Sequence, residues 1–355
     1  MYALTCVDEY KIPVREVVYV LDIIPLAQGP ATISSDQKLS LFDPTSLSAG
    51  PPVNLVTRHR NVICARAYDA ENSIVCTAGD DGTISMWDLR NPPSQAEVVR
   101  LRGSFVADCW TTLYYMNAML RVNIDSRNPV LSLACSSAGF SVVAGTEMQN
   151  HQVSLLAWDV RSTPTPKLEY GYCHSDDVTE LNFHPSDHNI FLSGSTDGLV
   201  NIYDTRVTDE DEVVIQTFNH EASIHHAAFL NDTEVFALSH DEKLALYDMA
   251  EGRETGAATT DFGDMRELLG CQYIANVIPK VNNAGAMIGA GAHDRQGFEI
   301  IHMTKGQGWS LDPDNTVGLF GAHSSEIVRS FCLYDEAQTV FSAGEDGYIK
   351  AWRPN

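Results

Sequence analysis

The sequence predicts an all-β fold built from seven repeats of one supersecondary unit, and three observations carry that reading. Short strands end repeatedly at an aromatic–acid dyad or a degraded copy of one. Examples are SSDQKLSLFD at Asp43, AGDDGTISMWD at Asp88, HQVSLLAWD at Asp159, SGSTDGLVNIYD at Asp204, LSHDEKLALYD at Asp248 and SAGEDGYIKAW at Trp352. Within a unit, apolar residues alternate with a period of two and turn residues return roughly every six to ten positions, which is a strand-and-hairpin pattern. The dyads themselves recur at a spacing of about 45 residues, the period of a four-stranded repeat. Seven such units fill most of the 355 residues.

Taken in order, the units fall at 16–58, 59–102, 129–173, 174–219, 220–262, 268–322 and 323–353. Four of them carry a strand after the dyad, at 53–57, 97–101, 167–172 and 213–218. The last unit has only three strands, at 327–333, 339–344 and 348–353, and residues 2–7 form a spare strand ahead of the first complete unit. A ring of four-stranded blades in which 2–10 completes the seventh accounts for both facts and removes exposed sheet edges.

Asp-Gly and Glu-Asp-Gly turns link the second and third strands, because glycine takes positive φ without penalty. In the best units the turn Asp lies six residues before the aromatic, a hydroxyl lies four before that Asp, and a His opens the unit. The sets are His59, Thr77, Asp81 and Trp87; His174, Ser193, Asp197 and Tyr203; His323, Ser342, Asp346 and Trp352. Each can satisfy its buried polar groups as one network, so these histidines read as structural. The fifth unit keeps His220, Asp241 and Tyr247 but has Ala237 in place of the hydroxyl, which predicts a less rigid blade.

The His, Asp-Gly and Trp-Asp pattern of these units resembles the WD-repeat β-propeller family over essentially the whole chain, most clearly in 174–204 and 322–352. The resemblance implies a seven-bladed scaffold for protein–protein interaction and no enzymatic activity. One departure is the 71-residue gap between Asp88 and Asp159. Part of it is a longer turn at 146–152; the rest is 103–128, an aromatic- and Met-rich insertion between units 2 and 3. It reads as an element packed on the ring, a partner-binding element, or a gene-structure artefact such as retained intron sequence.

No run of apolar residues reaches the length of a membrane span, and the N-terminal VVYVLDII carries Asp22 and reads as a strand, not a signal peptide. The eight cysteines include no CxxC pair. They read as free thiols of a reducing compartment, so the protein is expected inside the cell, in cytoplasm or nucleus, and monomeric by itself.

No nucleophile elbow, P-loop or HExxH is present. His184 and His188 have metal-like spacing, but Pro185 and the loop context favour a turn; the glycine-rich 286–293 continues a strand with no helix after it; His225 and His226 read as core and surface neighbours. No cofactor, metal or direct nucleic-acid binding is expected. Catalysis in the central channel would be dismissed by a channel without clustered titratable side chains.

The net charge of −24 remains as a signal. Eleven of the 47 acids belong to dyads or tight turns, and the rest still outnumber the 23 basic residues. On the face shared by the unit-to-unit loops and the turns between second and third strands, Asp80, Asp176, Asp177, Glu221, Glu242, Glu326 and Glu345 would form an acidic rim for a basic partner such as a ribosomal protein or histone. The opposite face would carry Asp209–Glu212 as 209–212. WDxR-like motifs place Arg90, Arg161 and Arg206 two residues after three dyads. That pattern resembles the substrate receptors of cullin-4 ubiquitin ligases, where the Arg side helps dock the adaptor; otherwise each Arg pairs with its own Asp.

Overall fold

The computed structural model of the protein describes residues 2–13, 16–101, 122–123, 128–162, 166–250, 256–280 and 285–355. Among them, strand β1 (Tyr2–Lys11) precedes seven sets of strands. The first set is β2 to β5 (Val20–Leu26, Gly29–Ser34, Lys38–Leu41, Val53–Val56). The second is β6 to β9 (Val62–Asp69, Ile74–Gly79, Thr83–Asp88, Glu97–Leu101), with the short β10 (Val122–Asn123) also pairing to β8. The third is β11 to β14 (Val130–Ser136, Ser141–Thr146, Leu155–Asp159, Leu168–Tyr170). The fourth is β15 to β18 (Val178–Phe183, Ile190–Ser195, Leu199–Asp204, Val214–Asn219).

The fifth set is β19 to β22 (Ile224–Phe229, Glu234–Ser239, Lys243–Asp248, Thr260–Asp264), followed by the helix α1 (Met265–Leu269). The weakly marked sixth repeat forms β23 to β26 (Tyr273–Pro279, Ala286–Ala292, Gly297–Lys305, Trp309–Phe320). The seventh is β27 to β29 (Val328–Tyr334, Thr339–Gly344, Tyr348–Arg353). Within each set the strands pair antiparallel in chain order, so the fold is all-β. Apart from Val122–Asn123 and Asn128, the 103–128 insertion lies outside the described residues.

Strand β1 completes the seventh sheet. It pairs antiparallel with β29, from Thr5 opposite Arg353 to Lys11 opposite Tyr348. It also does something the repeat pattern does not announce. Its first residues pair parallel with β26, Tyr2 opposite Val317 and Leu4 opposite Leu319, so the sixth and seventh sheets join into one eight-stranded sheet. Two otherwise open edges are paired at once.

The first strands of successive sheets pack against one another in order, and β27 returns to β2. At that return Leu26 N–H donates to the Tyr334 hydroxyl, which donates to the Leu26 carbonyl (3.0 and 2.9 Å). There is no single core. Seven apolar clusters each draw on two consecutive sheets, the last joining Val20 and Phe42 to Phe341 and Ile349. Both faces of a sheet are therefore dry, and β16, β20 and β28 are buried at every residue. The close approach of sheets explains Gly145 and Gly194: an added Cβ would lie 2.5 Å from Val178 and 2.6 Å from Ile224 of the next sheet.

All seven first strands share one device. A buried β-branched residue is followed by a register shift: after Val20, Val62, Val130, Val178, Ile224, Ile274 and Val328. Such bulges bend the strand and re-aim the side chains that follow. The positions just past the shift are Asp22, Cys64, Ser132, Glu180, His226, Asn276 and Ser330.

Candidate functional site

Three buried networks stand beneath the face that carries the tight turns. His59 Nε2 meets Thr77 Oγ1 at 2.9 Å, Trp87 Nε1–H donates to the same oxygen at 2.8 Å, and His59 Nδ1 lies 3.3 Å from Asp81 and 2.9 Å from Thr83. His174 bridges Asp197 (3.0 Å) and Ser193 (2.6 Å), and Ser193 donates to the Tyr203 hydroxyl at 3.0 Å. His323 bridges Asp346 (2.7 Å) and Ser342 (2.8 Å), with Trp352 Nε1–H donating to Ser342 at 2.9 Å. Burial raises the Asp81 carboxyl, but hydrogen bonds from His59 and Thr83 outweigh it and hold it down at about 2.

The fifth sheet differs from the sequence reading. Without a hydroxyl at Ala237, His220 turns to the Tyr247 hydroxyl (3.0 Å) and the Lys243 carbonyl (3.2 Å), and Asp241 is not among its partners.

The acidic rim divides into two kinds of sector. Asp80 is held by Arg60 (2.9 Å) and Asn61, Glu345 by Arg329 (2.6 Å), Asp36 by Lys38 and Asp264 by Arg266 (2.7 Å). Asp176, Asp177 and Glu221 have no ion-pair partner among the described residues, nor do Glu147 and Asp241 beside them. Asp177 accepts the Met148 amide at 2.7 Å. Glu242 is drawn inward: it accepts the Ile274 amide (3.1 Å), and burial pushes its carboxyl up to about 7. Glu326 is exposed, its amide donating to the His323 carbonyl.

On the opposite face Arg90, Arg161 and Arg206 each fold back on the Asp two residues earlier, with closest contacts of 2.7 Å in every case. Arg161 also stacks over Phe140, 4.3 Å from its centroid. In the loop 209–212, Glu210 accepts the Tyr172 amide at 2.7 Å.

The sequence reading missed the group at the centre of the ring. Arg66 of β6 donates to Asp22 of β2 (3.3 Å) and, passing in front of the third sheet, to Glu180 of β15 (2.8 Å). His226 Nδ1 meets Glu180 at 2.9 Å, and Ser330 donates to Asp22 at 2.7 Å. Four of these five residues stand just past the seven bulges, a signal present in the sequence as polar residues two positions after a Val or Ile. Burial pushes Glu180 up, but Arg66 and His226 prevail and hold it at about 2; at Asp22 burial prevails over Arg66, and the carboxyl is raised. His226 thus lines the channel, its ring centroid 4.0 Å from that of His225, whose own ring is pushed down to about 3 by burial and by His226 and His240. Titratable side chains therefore do cluster in the channel, bonded to one another.

His184 caps a turn, with Nε2 2.7 Å from the Asp232 carbonyl. Among the described residues no group of three or more His, Cys, Asp or Glu side chains could hold a metal ion, and the seven described cysteines are unpaired.

A model of the WD domain, G-beta repeat, matches residues 50–88, 165–204 and 314–353. WD40 repeats are thus found in the chain. An uncharacterized WD repeat-containing protein of Saccharomyces cerevisiae is 33% identical over 65% of this chain and 55% of its own length. Another, of Schizosaccharomyces pombe, is 26% identical over 94% of this chain and 95% of its own. The WD repeat-containing protein 89 homolog of Dictyostelium discoideum is 23% identical over 95% of this chain and 83% of its own. The chain spans about half the length of the first of these relatives. A chain in a crystal structure of the mitotic checkpoint complex shares the WD-propeller fold, with a TM-score of 0.66 at 17% identity over 98% of this chain and 91% of that one. WD-repeat proteins typically act as protein-interaction scaffolds, and their propeller is generally non-catalytic.

Proposed function

We propose that this WD-repeat protein is a non-catalytic scaffold that takes a basic protein or segment, such as part of a ribosomal protein or histone, on one sector of its turn-bearing face. The loops of the third to fifth sheets carry it: 146–154, 171–177, 196–198, 219–223 and 240–242 contain no Lys or Arg and seven carboxylates, of which His174 holds Asp197 and burial pushes Glu242 up to about 7, leaving Glu147, Asp176, Asp177, Glu221 and Asp241. Elsewhere on this face Asp36, Asp80, Asp264 and Glu345 are already neutralised by ion pairs. A like-charged sector on a ring focuses potential and favours a cationic partner. Free thiols at seven cysteines accord with an intracellular setting.

The test is titration with a Lys/Arg-rich peptide at two salt concentrations. Affinity should fall steeply with salt; binding unchanged at roughly 0.5 M, where the Debye length is about 4 Å, rules the reading out. Docking to a cullin-4 adaptor through Arg90, Arg161 and Arg206 gains no observation of its own, since each guanidinium is bound to its own Asp. Changing Arg90 and Arg161 to Ala should leave the unfolding midpoint intact and decides whether an adaptor co-purifies through them.

A further inference from the structure

The two ends of β1 are held differently. From Thr5 onward the strand pairs with β29 as far as Lys11. Tyr10 packs against Phe42 with ring centroids 5.3 Å apart, and the Ile12 amide donates to the Gly347 carbonyl at 3.1 Å. Tyr10 and Ile12 both pack on the apolar cluster that closes the ring. At the other end Tyr2–Leu4 makes three parallel pairs with Val317–Leu319 of β26, and Tyr2 and Ala3 are exposed, Tyr2 at 67%. Leu4 packs, half-buried, on the cluster between the sixth and seventh sheets.

Leu4 leaves space beside it. At the seam where β1 joins the sixth and seventh sheets lies a recess of about 270 Å³. It is lined by Leu4, by Ile300 and Val317 of the sixth sheet and by Val340 of the seventh, and its side chains are apolar apart from His302 and Gln338. Ile300 and Val340 belong to the buried cluster, so the recess opens into a dry interior.

We propose that Tyr2–Leu4 is a displaceable strap, and that the β26 edge with this recess is the seat of an extended segment of a partner polypeptide, whose aromatic side chain enters the recess at the register of Leu4. Backbone pairing at a sheet edge accepts any extended chain, whereas the pocket beside it selects the side chain. Three backbone pairs and one half-buried leucine oppose the exchange. Each further methylene that a competitor buries is worth about fourfold in affinity, and a phenyl ring exceeds the leucine side chain by more than one such increment. The recess is smaller than the roughly 300 Å³ at which cofactor pockets begin, so it suits one side chain. Exchange leaves the seventh sheet complete, because Thr5–Lys11 stay on β29, with Thr5 Oγ1 donating to Asn355 Oδ1 at 2.6 Å. The inference does not rest on the acidic sector, which belongs to the loops of the third to fifth sheets.

The experiment titrates the full, methyl-labelled chain with two capped tripeptides matching residues 2–4, one carrying Leu4→Phe and the other Leu4→Ala. The first should shift the methyl resonances of Ile300, Val317 and Val340 and send those of Leu4 to unstructured positions. It should bind at least about tenfold more tightly than the second. In the protein, Leu4→Ser should loosen the strap and tighten the phenylalanine peptide roughly fivefold, and Val340→Phe should abolish its binding by filling the recess. Leu4 methyls that keep their native positions while the others shift would show binding without displacement and overturn the strap. No shift at millimolar peptide, or equal binding of the two peptides, overturns the seat. These comparisons use the unaltered protein, so they decide even where a variant fails to fold.

Discussion

Arg66 and Glu180 are 114 positions apart and belong to non-adjacent sheets, yet their side chains meet at 2.8 Å across the centre of the ring. Through Asp22 and His226 this contact ties four sheets together with one guanidinium and two carboxylates. Removing Arg66 leaves both carboxylates in a site of low polarity. Arg66→Met should therefore destabilise by about 2 kcal/mol, short of the roughly 3–5 of a fully buried pair because the guanidinium is partly hydrated. Urea denaturation of Arg66→Met, Glu180→Gln and the double variant measures the coupling, and additive effects would show that the contact carries none.

The same pair sets an acid limit. Glu180 titrates at about 2 in the folded protein, below its ordinary 4.5, so its contribution is full above about 4.5 and is lost as the pH falls toward 2. Asp22, raised by burial, acts in the opposite sense, its share present at low pH and lost as the pH rises. Glu180→Gln should thus flatten the loss of stability between about pH 4.5 and 2, read as unfolding midpoint against pH. A profile as steep as that of the unaltered protein counts against this assignment.

Ser342 accepts from Trp352 and bonds His323, both buried. Ser342→Ala orphans two groups and should cost about 3 kcal/mol. Ser342→Thr should recover most of it, because Thr77 holds Trp87 and His59 in the same way. Denaturant midpoints of the two variants decide.

Deleting residues 1–11 exposes the edges of β29 and β26 together and withdraws Leu4 and Cys6 from the apolar cluster they cover. Stability should fall by at least about 3 kcal/mol, with self-association visible on size-exclusion chromatography. A synthetic peptide of residues 2–13 should restore the monomer, and a truncated chain that is monomeric and unchanged in midpoint contradicts the closure role.

Neutralising Asp176 and Glu221 together (Asp176→Asn, Glu221→Gln) should weaken a Lys/Arg-rich peptide roughly tenfold at low salt, about 1.4 kcal/mol. Glu345→Gln should change it less than twofold, since Arg329 already balances that charge. Equal losses from both would place the partner elsewhere on the ring.

Much of this was legible locally. A hydroxyl four residues before a turn Asp, and an aromatic six after it, meet because two hairpin-linked strands must bring them together. His59, Thr77 and Trp87 could therefore be grouped from spacing alone. The pairing of Arg90 with Asp88 and of Arg161 with Asp159 is equally short in range. The neutralised half of the acidic rim was not legible, because Glu345 finds Arg329 on another strand and Asp80, just after β7, finds Arg60 just ahead of β6.

The repeat, the all-β class and the need for an N-terminal strand to complete the last sheet all follow from period-two patterning and turn chemistry within about 45 residues of chain. Only the tertiary structure decided which side chains meet in the channel, that β1 also pairs with β26, and that a recess is left at their seam. The physical reason is closure. Bending seven sheets into a ring brings the first strands within reach of one another, and no spacing along the chain encodes which of them a long guanidinium will cross to meet.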